Sequence, residues 1–292
     1  MRPKRSLVTA LWAAAALFVW AIPAAAADAP QTDGGLCAEC HEQAKGFAKT
    51  AHGHTGAGDA ACASCHGDGT KHAEAGGDKS LIKVPAGRDG VTTCLSCHDK
   101  SSEQKTFRDG VHVKTEAVNC LSCHAIHGAA AGAPHLLVKK DPELCAKCHP
   151  GPTASFKGKP YAHKLDRGGI GCTGCHEPHG RHGRDSLKET LAGEIACLSC
   201  HTSQRGPFVF SHVEGVAGDC MSCHEPHGSS NQKQLIRSRV DQLCLECHSR
   251  TPGGVYGSMP VATHNLNLPR WRNCTTCHVK VHGSNSSPKL LK

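Results

Sequence analysis

The chain has 292 residues and a formal charge of +8, and its 32 Gly, 20 Cys and 23 His stand against only 6 Phe, 3 Trp and 2 Tyr. So few rings and so much glycine leave side-chain burial unable to offset chain entropy in the ordinary way, which excludes a conventional apolar interior. The basic balance suggests a nucleic-acid binder and the cysteines suggest a small disulfide scaffold, so the spacing of the residues has to decide.

Residues 1–26 read as a secretory signal: Arg2, Lys4 and Arg5 precede an apolar run from Leu7 to Ile22, and small residues follow at Ala24, Ala25 and Ala26. A retained membrane anchor is the alternative, but a run of about sixteen residues is shorter than the roughly 20 that a spanning helix needs. No later segment is apolar enough to cross a bilayer. Residues 27–292 therefore form the exported chain, whose remaining aromatics are Phe47, Phe107, Phe156, Tyr161, Phe208, Phe210, Tyr256 and Trp271.

All 20 cysteines fall in pairs two residues apart, and a histidine follows every pair. In chain order these motifs are Cys37, Cys40 and His41; Cys62, Cys65 and His66; Cys94, Cys97 and His98; Cys120, Cys123 and His124; and Cys145, Cys148 and His149. The second half continues with Cys172, Cys175 and His176; Cys197, Cys200 and His201; Cys220, Cys223 and His224; Cys244, Cys247 and His248; and Cys274, Cys277 and His278. On a helical turn, positions i, i+3 and i+4 share a face, so two thioether-forming sulfurs and one iron-binding imidazole meet a single porphyrin. This is the attachment signal for haem c. A lone copy is open to a zinc-site or redox-dithiol reading, but ten copies in an exported chain are not. Asp141 with Pro142 ahead of Cys145, and Asp241 ahead of Cys244, look like helix N-caps for their own motifs.

Taking the ten motif histidines from the 23 leaves thirteen. The motifs group into five two-haem repeats, approximately 37–77, 94–128, 145–180, 197–228 and 244–283. Each repeat carries a histidine eight to ten residues before its second motif, namely His52, His112, His163, His212 and His264. Each also carries one just after that motif, namely His72, His127, His179, His227 and His282. These in-phase residues are the expected second axial ligands of ten c-type haems, giving mainly bis-histidine ligation. His54, His135 and His182 break the phase and read as solvated surface residues, although His54 competes with His52. His179 follows His176 by three residues and cannot reach the opposite face of the same ring, so the post-motif histidines should ligate a neighbouring haem. Methionine offers little competition: Met1 lies in the signal and Met221 inside a motif, leaving Met259. Closed bis-histidine irons imply low potentials and no open site for a substrate, hence an electron carrier with no catalytic residues.

Cofactor charge reverses the polyanion reading. Without Arg2, Lys4 and Arg5 the chain carries about +5; ten haems with two propionates each bring it to about −5 oxidised and about −15 reduced. The basic residues balance propionates and call for no nucleic acid.

The ten motifs in paired repeats, with Cys-His-Glu-Pro-His-Gly at Cys175 to Gly180 and again at Cys223 to Gly228, resemble the MtrA/DmsE-type periplasmic decahaem cytochromes over essentially the whole exported chain. The first repeat departs from the pattern, with Gly67 to Lys71 separating His72 from its motif. The resemblance implies a multihaem cytochrome c fold, in which a mostly irregular chain with short α-helices and little or no β-sheet wraps an elongated, near-linear haem array. It also implies a periplasmic location and an outer-membrane β-barrel protein as sheath. Partner cytochromes would donate or accept electrons in the periplasm, with an extracellular cytochrome or mineral at the other end. The competing readings are a soluble periplasmic shuttle serving a terminal reductase and a multihaem reductase of a small nitrogen or sulfur compound.

Overall fold

The computed structural model describes residues 35–44, 47–56, 58–100, 104, 106–115, 118–127, 134–165, 170–180, 184–189, 193–212, 220–248, 264–265 and 268–292. The signal segment, His182 and Met259 lie outside these residues.

Regular structure is short and serves the motifs. Helices α1 (Leu36–Cys40), α2 (Asp59–His66), α3 (Thr70–Glu74), α4 (Gly87–His98), α5 (Val111–Lys114), α6 (Cys120–Cys123), α7 (Glu143–Ala146), α8 (Pro150–Gly158) and α9 (Val240–Leu245) are interspersed with short 3₁₀ turns, and the longest has 12 residues. Four motifs of the second half begin on 3₁₀ turns, at Cys172–Gly174, Ala196–Ser199, Cys220–Ser222 and Cys274–Thr276. The turn is closed in the same way outside and inside helices. His176, His201, His224, His248 and His278 each donate their backbone N–H to the carbonyl of the first cysteine of their motif, at 2.9 Å. That single bond brings both sulfurs and the imidazole to one side. Among the described residues there is no β-strand, only isolated bridges.

The apolar interior is as thin as the composition implies. Among the described residues, Val91, Leu95 and Phe107 form the one cluster of buried apolar side chains, with Val113 and Cys120 against it. Outside it the buried apolar residues are small, Ala61, Ala162 and Ala196, and no described side chain is wholly enclosed.

Backbone contacts between successive repeats replace that core. Tyr161 and Ser229 exchange two backbone hydrogen bonds, and so do Phe210 and Ser284. The Thr106 hydroxyl donates to the Gly180 carbonyl. In each case a segment ahead of a second motif lies against the His-Gly step of the following repeat. The glycine of that step is required twice over, since Gly180, Gly228 and Gly283 have φ of 94°, 128° and 148°. A Cβ on Gly180 would also stand 2.8 Å from the Gly110 Cα, and one on Gly228 would stand 2.9 Å from the Ser155 carbonyl oxygen.

Each second motif is further gripped by a returning loop. His124 sits between two backbone bonds, Ala125 N–H to Leu136 O at 2.7 Å and Val138 N–H to Cys123 O at 2.9 Å. The same grip recurs with Glu177 to Ser186 and Lys188 to Cys175, and with Glu225 to Gln234 and Ile236 to Cys223. The loop turns through left-handed residues that are not glycine: His135 and Leu136, Asp185 and Ser186, Lys233 and Gln234. Such residues cost about 1–3 kcal/mol each, a strain that the flanking hydrogen bonds hold in place.

Gly228→Ala should destabilise the assembled protein by roughly 1–3 kcal/mol, through a forbidden φ and a clash with Ser155. Gly151→Ala, in α8 with nothing within 4 Å, should be neutral or stabilising by about 0.5–1 kcal/mol. Thermal denaturation followed at the Soret band checks both.

Candidate haem-binding and electron-transfer site

Every motif histidine has a second imidazole facing it. The ring centres lie 6.1 Å apart for His41 and His72, 5.8 Å for His66 and His127, 5.9 Å for His98 and His52, 6.1 Å for His124 and His179, and 6.1 Å for His149 and His112. The series continues at 6.0 Å for His176 and His227, 6.3 Å for His201 and His163, 6.2 Å for His224 and His282, 6.1 Å for His248 and His212, and 6.4 Å for His278 and His264. These separations fit an iron. With metal–imidazole bonds of about 2 Å on each side, two ring centres stand about 6.4 Å apart. Direct stacking would bring them closer.

The facing partners are the ten in-phase histidines. Of the adjacent pair, His52 faces His98, whereas His54 is exposed. His72 faces His41 despite the departure of the first repeat from the pattern. His135 has an exposed side chain, but its carbonyl is used, as described below.

The pairing has a simple rule. Histidines ahead of a second motif reach forward: His52, His112, His163 and His212 each face the first motif of the next repeat. Histidines after a second motif reach back: His127, His179, His227 and His282 each face the second motif of the previous repeat. Each junction between repeats is thus crossed twice. In the first and last of the five repeats, His72 and His264 turn onto motifs of their own repeats.

Hydrogen bonds at Nδ1 fix the ring orientation. A carbonyl only accepts, so an imidazole bonded to one donates from Nδ1 and keeps the Nε2 lone pair for a metal. The second-motif histidines use the gripping loops: His66 donates to Lys83 O, His124 to His135 O, His176 to Asp185 O, His224 to Lys233 O and His278 to Lys289 O, at 2.6–2.9 Å. Among the forward-reaching set, His112 donates to Pro178 O at 3.0 Å and His163 to Pro226 O at 3.1 Å. The Val281 backbone is a hydrogen-bond partner of His212. The left-handed turns therefore exist to aim a carbonyl. Burial pushes the imidazoles of His52, His127, His212, His227 and His282 below their ordinary range, and the facing ring adds to the effect. The neutral form is the one a metal takes.

The cysteines set the order of the motifs in space. Within each repeat the first cysteines of the two motifs touch: Cys37 with Cys62, Cys94 with Cys120, Cys145 with Cys172, Cys197 with Cys220 and Cys244 with Cys274. Between repeats, Cys123 lies beside Cys145 and Cys148, Cys175 beside Cys200, and Cys223 beside Cys244. Lys83 makes the remaining link, bonded to the His66 backbone and through its ammonium to Thr93, next to Cys94. Neighbours in sequence are neighbours in space from the first motif to the last.

A family described by its doubled CXXCH motif matches residues 112–153, 163–206 and 212–253. Over 274 residues the chain is 30% identical to the multiheme cytochrome MtrA of Shewanella baltica (strain OS185), spanning 88% of this chain and 80% of that protein. The chain belongs to the MtrA-type multihaem cytochromes. It is an electron-transfer protein that binds c-type haem covalently through its CXXCH motifs. As in this family, the fold is mostly irregular with short helices. The doubled-motif segments are in a different phase from the repeats drawn above. Each opens on a forward-reaching histidine, His112, His163 or His212, and closes just past the motif histidine that it faces.

Two features of this MtrA-type cytochrome were not read from its sequence. The scarce aromatics sit against the distal imidazoles: Phe47, Phe107 and Phe156 present edges to His127, His179 and His227, and Trp271 stacks on His264 at 4.5 Å. The signal was a phenylalanine four to seven residues ahead of each forward-reaching histidine. Asp141 also differs from expectation. Glu143–Ala146 has Pro142 at its N-cap with no side-chain bond, and the Asp141 carboxylate instead accepts from the backbone of Cys172 and Thr173 and from the Thr173 hydroxyl. Asp59 does the same for Leu36 and Cys37. Asp241 lies inside the first turn of α9 and is paired with Arg239. The acid ahead of one motif caps the other motif of its repeat because the touching cysteines bring that second turn within reach. Asp141, Cys145 and Cys172 converge closely enough to hold a metal, but both sulfurs belong to attachment motifs and the cap accounts for the carboxylate.

Burial opposes ionisation of Asp141, yet the N–H groups of Thr173 and Cys172 hold its carboxyl below the usual range. A depressed folded-state pKa stabilises above the unfolded value and is lost as pH falls through the folded one. Asp141→Asn should lower the unfolding midpoint at neutral pH, by about 0.5–2 kcal/mol of stability, and flatten its acid dependence. Denaturation of the assembled protein at neutral and acid pH measures it.

Proposed function

We propose that this cytochrome carries ten haems, each closed on both faces by histidine, and conducts electrons between the periplasm and the cell exterior as the wire inside an outer-membrane barrel. The observation that carries this reading is the tenfold pairing of imidazoles at iron-spanning distance along motifs that adjoin in sequence order. When attached, the haems supply the one-electron centres of the path. The twenty motif cysteines anchor them by thioether bonds and the motif histidines bind from one face. His52, His72, His112, His127, His163, His179, His212, His227, His264 and His282 close the other.

Closure on both faces leaves no exchangeable position, so the site fits a carrier and not a multihaem reductase. Bis-histidine ligation places the potentials toward the low end. Residues 1–26 direct export and are removed. No helix among the described residues is long and apolar enough to cross a membrane. A loop-rich, polar chain therefore needs a closed barrel with a polar lumen to carry electrons through about 30 Å of hydrocarbon. Periplasmic cytochromes meet one end and an extracellular cytochrome or mineral the other.

The cytochrome would be reconstituted, with and without a co-purifying barrel, in liposomes loaded with a reduced dye. An external acceptor should bleach the dye only when both proteins are present. Complete release with the periplasm, and no barrel in any pull-down, would leave a soluble shuttle as the role.

Ligation is tested separately. His179→Ala should convert one low-spin haem in ten to high spin with covalent attachment intact, while His182→Ala should leave the visible spectrum unchanged. Equal effects of the two would refute the assignment.

A further inference from the structure

The facing imidazoles are not all set alike. In six pairs the rings are nearly aligned: 10° between His41 and His72, 24° between His66 and His127, 14° between His124 and His179, 31° between His176 and His227, 17° between His212 and His248, and 20° between His224 and His282. In four they are crossed: 60° between His52 and His98, 55° between His112 and His149, 65° between His163 and His201, and 54° between His264 and His278. No pair falls between 31° and 54°.

The split follows the origin of the distal ring. All five histidines that come after a second motif are aligned, and four of the five that come before one are crossed. His212 is the exception, and the loop it meets is also the exception in length. The rings of His112 and His163 are held by carbonyls of Pro178 and Pro226, in loops where the next histidine follows the motif histidine by a step of three residues. In the last repeat that step is four residues, His278 to His282, and the backbone of Val281 is the partner of His212. In all three loops the bonded residue immediately precedes the distal histidine, so the longer step ahead of it is what sets the His212 site apart from those of His112 and His163.

We infer that the haem sites form two electronic classes, crossed at the motifs of Cys94, Cys145, Cys197 and Cys274 and aligned at the other six, and that the classes alternate from the second motif to the eighth. The inference rests on the bis-histidine reading above. Aligned imidazoles donate their π electrons into the same iron d orbital, which splits it from its partner and stabilises the ferric hole. Crossed imidazoles act on one orbital each and leave the two nearly degenerate. Crossed sites are therefore easier to reduce than aligned ones, other influences being equal. Since the motifs adjoin in sequence order, electrons meet a saw-tooth with no net slope over this stretch. Ring angle alone therefore imposes no direction on electrons over this stretch.

Low-temperature EPR of the fully oxidised protein, with spin quantitation, separates the classes. Aligned sites give rhombic spectra with three resolved features, and crossed sites give a single broad feature at high g. Four spins in ten should lie in the broad feature. His163→Ala should remove one spin from it, and His227→Ala should remove one from the rhombic set. Deleting Lys280, which restores the three-residue step, should move one spin from rhombic to broad. Ten low-spin irons all of one class, or variants drawing on the opposite class, would overturn the inference. The spin count of the unaltered protein decides the matter if a variant does not fold. High-spin irons in the unaltered protein would instead sink the bis-histidine reading on which the inference stands.

Discussion

The structure depends on one contact made ten times, an imidazole from one part of the chain set opposite an imidazole from another at the distance that an iron spans. Its force lies in where the partners come from. Eight of the ten pairs join different repeats, so most metal bonds would also be tertiary bonds. With so few buried apolar side chains among the described residues, this would substitute for a core, and metal binding and folding would become one process. The small clusters around Val91 and the isolated β-bridges add register to a framework that ligation would hold.

Around that contact the peptide is arranged to aim nitrogen atoms. The left-handed pairs at His135, Asp185 and Lys233 place a carbonyl opposite Nδ1 of a motif histidine, and the Pro178 and Pro226 carbonyls do so for distal ones. Strain in the backbone and order in the imidazoles are therefore linked. The His-Gly steps have a second purpose: they let the preceding repeat lie directly on the backbone beside the distal ligand, closer than any Cβ would permit.

The sequence made the covalent chemistry and the candidate ligands legible because thioether attachment fixes a rigid local spacing, and because the distal histidines recur in phase with it. Which imidazole faces which was not legible. His66 and His127 are 61 positions apart, and nothing local in either segment names the other. The geometric argument at His179 excluded its own motif but could not select His124. Asp141 misled for the same reason: a textual neighbour of Cys145, it serves the backbone of Cys172. The carbonyl-aiming turns left only a faint trace, a leucine following each left-handed pair at Leu137, Leu187 and Leu235, since Leu136, Asp185 and Lys233 carry no sign of positive φ. Likewise Phe47, Phe107 and Phe156 were counted as missing core when each had a place at the edge of an imidazole.

The self-closing ends bear on how such a molecule changes length. An internal repeat brings two motif histidines, one histidine that reaches forward and one that reaches back, so adding or removing a whole repeat from the middle leaves every imidazole matched. The terminal repeats are different, because His72 and His264 are already turned inward onto His41 and His278. Duplication between the ends is thus a neutral step in ligand number, whereas loss of an end strands two imidazoles at once. A row of facing imidazoles built this way can be lengthened or shortened by whole units, with its first and last repeats kept as fixed fittings.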